Sequence, residues 1–168
     1  MIENSSTPEH VPSTSLWSFA TLLLWLAICY GAAAVGGYFT SLGLKGYYEY
    51  LRKPEWTPPG AIIGFIWNIL FAMMSVAAWL VWRKAGWFHG AIVVFLVHLL
   101  LNVGWSYCFF TMQCPEIAFW ELCVLWLSIL ATALLFWPVS KLAAVLLLPY
   151  LGWVLFAGYL NYTIWQMN

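Results

Sequence analysis

The chain has 168 residues, of which 64% are hydrophobic and only 7% charged, against about 45–50% apolar and about 25% charged in an ordinary soluble domain. Six Lys and Arg balance six acids, every one a Glu, so there is no basic field to hold nucleic acid. A soluble enzyme, a disordered chain and a collagenous one are excluded as well. The length allows one domain, and the measure that matters is the roughly 20 apolar residues a helix needs to cross a bilayer.

Residues 1–15 set Glu3 and Glu9 among Ser, Thr and Pro, which reads as a mobile polar tail. They carry no Lys or Arg, so the first span lacks the positive flank of a cleaved signal peptide. That span covers about 16–44. Its small-residue pairs Ala32/Gly36 and Ala33/Gly37 let helix backbones approach closely, within one chain or between two. A long connection, 45–59, holds Lys45, Arg52, Lys53, Glu49 and Glu55 with two tyrosines and Trp56. A short amphipathic segment is expected near Gly46–Leu51, then an extended proline-rich stretch; so long a connection in a small bundle is often functional. The second span follows Pro58-Pro59 and covers about 60–82, stopping at Arg83-Lys84. The third covers about 87–110, the fourth 115–137, and the fifth 142–165.

None of these runs alternates as a barrel strand would, and only helices or closed barrels satisfy the backbone in hydrocarbon. The expectation is an all-α, multi-pass integral membrane protein, a bundle of five transmembrane helices over 16–168. Three Lys and Arg fall on each side of it, so charge sets neither the orientation nor which membrane it occupies. An odd number of spans disfavours a transporter built from two equal inverted halves.

Thirteen tryptophans exceed what an interfacial belt requires. Trp17, Trp82, Trp87, Trp137 and Trp165 sit at span ends, where indoles favour the interface. Trp67, Trp105, Trp126 and Trp153 lie deeper, and a buried indole N–H wants a partner. His98, Asn102 and Trp105 share one helical face; so do Tyr150, Trp153, Ala157 and Asn161, and so do Trp67 and Phe71. Intramembrane polar groups normally face the bundle interior. Two readings are open: the amides of Asn102 and Asn161 join helices by hydrogen bonds, or the three faces enclose an apolar pocket with a few orienting polar atoms. Glu121, two turns into the fourth span, is either a proton site or, more plainly, a helix-interface hydrogen-bonding group.

Metal and nucleophile chemistry has little to rest on, and no metal site is expected. His10, His89 and His98 show no ligand spacing, Asp is absent, and Cys29, Cys108, Cys114 and Cys123 form no C-x-x-C. Cys108 and Cys114 flank one loop as a possible disulfide; the plainer expectation is four small apolar residues. His98 is either a porphyrin-iron ligand or, more plainly, hydrogen-bonded structure.

Leu51-Arg-Lys-Pro-Glu-Trp-Thr-Pro-Pro-Gly60 with Trp67 and Leu70 resembles the loop-to-second-helix signature of the TspO/MBR family, the tryptophan-rich sensory and translocator (peripheral benzodiazepine receptor) proteins. Leu101-Asn102 with Trp105 and Phe109-Phe110 resembles its third-helix signature. Pro149-Tyr150-Leu151-Gly152-Trp153, Phe156-Ala157 and Leu160-Asn161-Tyr162 with Trp165 resemble its fifth. The finer likeness is to bacterial members.

The resemblance implies a five-helix bundle, often a homodimer, whose pocket the first loop closes. It implies a receptor or sensor for porphyrins such as protoporphyrin IX or haem, bound as ligand with no resident cofactor required, and for benzodiazepine-type and other lipid-like small molecules. Tyr48, Pro58, Phe71, Asn102, Trp105 and Ala157 match the family's ligand-lining positions. Trp67 and Trp153 match the pair tied to light-dependent porphyrin degradation in some bacterial members, so an oxygen-dependent enzyme is the alternative and a transporter the second. The animal sterol motif ends in a basic residue; here Asn161-Tyr162 runs on to the uncharged Gln166, which argues against tight sterol binding.

Overall fold

The computed structural model describes residues 14–87 and 89–168. The polar tail expected over 1–15 lies outside them, save Thr14 and Ser15, which open the first helix. Five helical segments are long and apolar enough to cross a membrane: Trp17–Tyr48, Gly60–Ala85, Gly90–Thr111, Pro115–Phe136 and Lys141–Met167. Among the described residues there is no strand, and the fold is the all-α five-span bundle the composition requires.

Helix α1 (Thr14–Gly43) turns one stripe inward. Trp25, Cys29, Gly36 and Gly43 are its buried positions, spaced as a single helical face requires. Of the two small-residue pairs only one points inward: a Cβ at Gly36 would lie 3.3 Å from Ser106 Oγ, whereas Gly37 faces open space. At Gly43 the helix backbone passes so close to the π turn that any side chain there would collide with the Phe110 carbonyl. Beyond it the chain bends out of helical geometry through Lys45 and Gly46, whose φ of +95° favours glycine.

Helix α2 (Gly60–Ala85) starts after Pro59, in extended geometry at its N-cap. It runs one turn past the expected stop, with Arg83 and Lys84 inside its last turn. Cations are favourable at a helix C-terminus, and long basic stems lie along apolar surface with their heads in water. Arg83 stacks 4.6 Å above the Trp79 ring, and Lys84 Nζ donates to the Val139 carbonyl at 3.1 Å.

Helix α3 (Gly90–Ser106) is capped by the His89 side chain, which accepts from Ala91 N at 3.3 Å. It starts three residues later than the apolar run suggests, and continues as a wide π turn over Tyr107–Thr111. Helix α4 (Pro115–Phe136) opens on proline, where the missing N–H costs nothing.

The fifth span comes in two pieces, α5 (Lys141–Leu146) and α6 (Leu148–Met167), interrupted at Leu147. The cause is Pro149, which has no N–H to donate one turn back.

Helix α3 packs along α4, α1 lies against α2 and α3, and α4 also holds α6. Helix α5 is wedged against α2 and α4, while α2 and α6 scarcely approach each other. Trp25, Met74, Phe95, Phe136 and Tyr150 fill the core, and large apolar residues such as Phe65, Leu100, Leu134 and Leu155 are left facing outward. In water such a surface would mark aggregation; here it matches a bilayer.

Candidate functional site

The polar atoms inside the spans find their partners between helices. Asn102 on α3 donates to the Tyr150 hydroxyl on α6 at 2.9 Å. Trp105 Nε1 donates to Asn161 Oδ1 at 3.1 Å, and Asn161 Nδ2 donates to the Pro115 carbonyl at 2.7 Å. One amide thereby ties α6 to α3 and to the start of α4. His98 Nδ1 meets Thr132 Oγ1 at 3.2 Å, and Trp126 Nε1 donates to the Leu151 carbonyl at 3.2 Å. Of the two readings open for the amides, the structure realises the interhelical bond at both. Each such bond contributes about 0.6 kcal/mol on average within a membrane.

The aromatic positions gather in three groups. Trp67 lies against Phe71 (ring centroids 5.7 Å) and edge-on to Tyr150 (6.0 Å), which puts Trp67, Phe71, Tyr150 and Asn102 together at the bundle centre. Trp105 stacks on Phe109 at 5.6 Å, and Tyr48 meets both Phe109 and Phe110. Trp153 lies 5.3 Å from Phe156, and Phe156 in turn meets Trp56 of the first loop. Pro58 and Ala157 are half-buried. The eight expected positions therefore fall into separate groups and do not converge on one void.

The first loop covers this end. Trp56 stacks on Tyr159 at 5.3 Å with the rings 12° apart. Lys53 Nζ donates to the Tyr48 carbonyl and sits 4.5 Å from the Tyr48 ring. Arg52 N donates to Asn168 Oδ1 at 2.9 Å, and Asn168 Nδ2 returns a bond to the Arg52 carbonyl at 3.0 Å.

Where α2 and α6 stand apart there is an apolar cleft of about 290 Å³, walled by Ile66, Ile69, Leu70 and Met73 on one side and Pro149, Gly152, Trp153 and Phe156 on the other. Ligand sites run from about 300 to 1,000 Å³, so a macrocycle requires this cleft to widen. Only Trp153 of the expected residues lines it. Its indole N–H is buried without a hydrogen-bond partner among the described residues. A second, larger apolar groove of about 740 Å³ lies between α4 and α6, with Phe119, Trp126, Tyr159 and Tyr162 among its walls. None of the eight expected positions lines that groove.

Three readings change. Glu121 does not make the interface hydrogen bond expected of it: both its carboxyl oxygens are buried and unpartnered among the described residues, one of them facing Gly104 of α3. A residue buried but unsatisfied gives no sign in sequence spacing. Trp82 and Trp87 are not simply belt residues, because Trp87 stacks on the buried Trp25 and also meets Trp82. Tyr150 is wholly buried and holds Asn102 and Trp67 together; its place on the Trp153 and Asn161 face was the signal. The four cysteines are free thiols.

The model of the TspO/MBR family matches residues 13–166. A tryptophan-rich protein TspO of Chlorobaculum tepidum is 42% identical over 152 residues, covering 88% of this chain and 96% of the relative. A protein of the same name from Archaeoglobus fulgidus is 33% identical, over 89% of this chain and 95% of the relative. The translocator protein of Ovis aries is 36% identical, over 79% and 83%.

Proposed function

The chain belongs to the TspO/MBR family, and we propose that it is a membrane receptor holding a flat apolar ligand, a porphyrin of the protoporphyrin IX type, between α2 and α6. Family membership and five membrane-spanning helices support a receptor or sensor role in a multi-pass membrane protein. The observation that carries the finer reading is the cleft itself: apolar walls, an unpartnered Trp153 indole N–H, and the Trp67–Tyr150–Asn102 cluster behind it. Aromatic faces stack on a macrocycle, and few polar atoms are needed to orient it. The first loop, pinned by Trp56 and Arg52, closes that end.

The test is the absorption spectrum of protoporphyrin IX with the purified protein in darkness, then under light with oxygen. A dark band shift that Trp153→Ala weakens is the expected result; no shift sinks the porphyrin reading. Protein-dependent bleaching in the light, lost in Trp67→Phe and Trp153→Phe while the dark shift remains, makes the receptor an enzyme on its ligand.

A further inference from the structure

The turn between α3 and α4 brings two thiols together. The π turn over Tyr107–Thr111 is closed by Met112 N, which donates to the Tyr107 carbonyl at 2.9 Å. Gln113 then takes a left-handed φ of +53°, which a glutamine seldom adopts. That reversal sends Cys114 N back to the Cys108 carbonyl at 3.2 Å. Backbones joined by such a bond hold their Cα atoms roughly 5–6 Å apart, inside the span of about 4.4–6.8 Å that a disulfide bridges. Where a helix ends on a left-handed residue, the next side chain characteristically packs back onto the last turn. Here that side chain is Cys114 and the last turn carries Cys108, and the two thiols lie within electrostatic range of each other.

Burial sets this pair apart. Cys29 is buried in the core, as a cysteine that serves as small apolar filler should be. Cys108 and Cys114 are half-buried free thiols, and Met112 and Gln113 between them are exposed. Cys114 lies outside the membrane spans, between Thr111 and Pro115. Partly exposed thiols are the ones that react.

We propose that Cys108 and Cys114 are a redox-active dithiol, a modification site that closes to an intramolecular disulfide by exchange with a low-molecular-weight disulfide in the aqueous phase. The Cys114 thiolate attacks one sulfur of the incoming disulfide, whose S–S bond breaks and releases a first thiol. Cys108 gives its proton to water, and its thiolate attacks the Cys114 sulfur of the mixed disulfide and releases the second thiol. The pair gives up two electrons and two protons, and the incoming disulfide departs with them as two thiols. The ring so closed holds Phe109 and Phe110. Tyr47 and Tyr48, at the root of the first loop, pack on those two rings, and the Phe110 carbonyl abuts Gly43. Ring closure therefore fixes the seat on which the first loop rests, and the redox state of the aqueous phase sets how firmly that loop is held.

The test uses the full chain in nanodiscs with no added ligand. Reduced protein is incubated with glutathione disulfide, remaining thiols are blocked with N-ethylmaleimide in denaturant, and intact and chymotryptic masses are read. All four cysteines are expected to take the label before incubation and only Cys29 and Cys123 after it. Cys108 and Cys114 are expected in one cross-linked peptide pair that a dithiol reductant separates. Glutathione retained on either cysteine without ring closure overturns the proposal, and so does label on all four or a bond between two chains. Closure is expected to be about tenfold faster in the folded chain than in denaturant, because the turn holds the sulfurs together; equal or slower closure overturns it. Amide exchange over residues 44–51 is then compared in the two redox states. It is expected to slow by about threefold or more on oxidation, and not at all in Cys114→Ser, which cannot close the ring. Unchanged exchange there with the ring closed overturns the link to the first loop.

Discussion

Helix α6 has two very different neighbourhoods. Towards α3 and α4 it is held by Asn102–Tyr150, by Trp105–Asn161–Pro115 and by Trp126–Leu151, each bond linking two helices. Towards α2 it meets an apolar cleft and no interhelical hydrogen bond between the two among the described residues. Hydrocarbon offers little drive for apolar helices to associate, so hydrogen bonds and close backbone packing decide where a bundle is tight. The bundle is therefore fastened by hydrogen bonds on one side and by apolar contact alone on the other, and that second side is where Trp153 lines the cleft.

The contrast can be broken from the tight side first. Gly43→Val forces a side chain onto the Phe110 carbonyl and is expected to destabilise by about 3 kcal/mol or more, seen as a large fall in thermal midpoint in detergent. Asn161→Leu leaves the Trp105 N–H without its acceptor and removes the added bond to the Pro115 carbonyl, for about 2 kcal/mol; a loss equal to that of Trp105→Phe alone would show that the Pro115 bond is idle. Asn102→Leu removes a single bond to Tyr150 and should cost about 1 kcal/mol, with the shift read in the same melt. On the cleft side, a Cβ added at Gly152 meets nothing within 4 Å, so Gly152→Leu has room to enter the cleft and should change stability by less than about 0.5 kcal/mol. It fills the cleft, and porphyrin titration is expected to show binding lost. Retained binding in Gly152→Leu would move the site to the α4–α6 groove.

Much of this was legible in the chain. Length and hydropathy alone dictated the five spans, because hydrocarbon permits few other solutions. Helical spacing put Asn102 with Trp105 and Tyr150 with Asn161, and those positions do meet across α3 and α6, whereas Trp153 of the same expected face lines the α2 side. What spacing could not supply was the partner. Nothing in the sequence says that Asn102 finds Tyr150 rather than a ligand, or that Glu121 finds no one. The inward stripe Trp25, Cys29, Gly36 and Gly43 was readable by its period, but a long apolar helix hides such a stripe because its outer face is apolar too. The break at Leu147 is signalled by Pro149, although the apolar run continues through it without a change in hydropathy. The end of α2 was misread because Arg83 and Lys84 look like loop residues, although a helix end suits them.

The interruption at Leu147 has a mechanical consequence. Helix α5 is gripped by α2 and α4, whereas α6 is gripped by α4, bonded to α3, and meets α2 through the Trp67–Tyr150 rings and no hydrogen bond among the described residues. The two halves of the fifth span are thus a short anchored arm and a long arm, with a fulcrum at Leu147 where the Pro149 backbone has no rung to break. Any swing at that fulcrum would be carried along the long arm to Trp153 and Phe156, which wall the α2–α6 cleft, while the short arm keeps its seat.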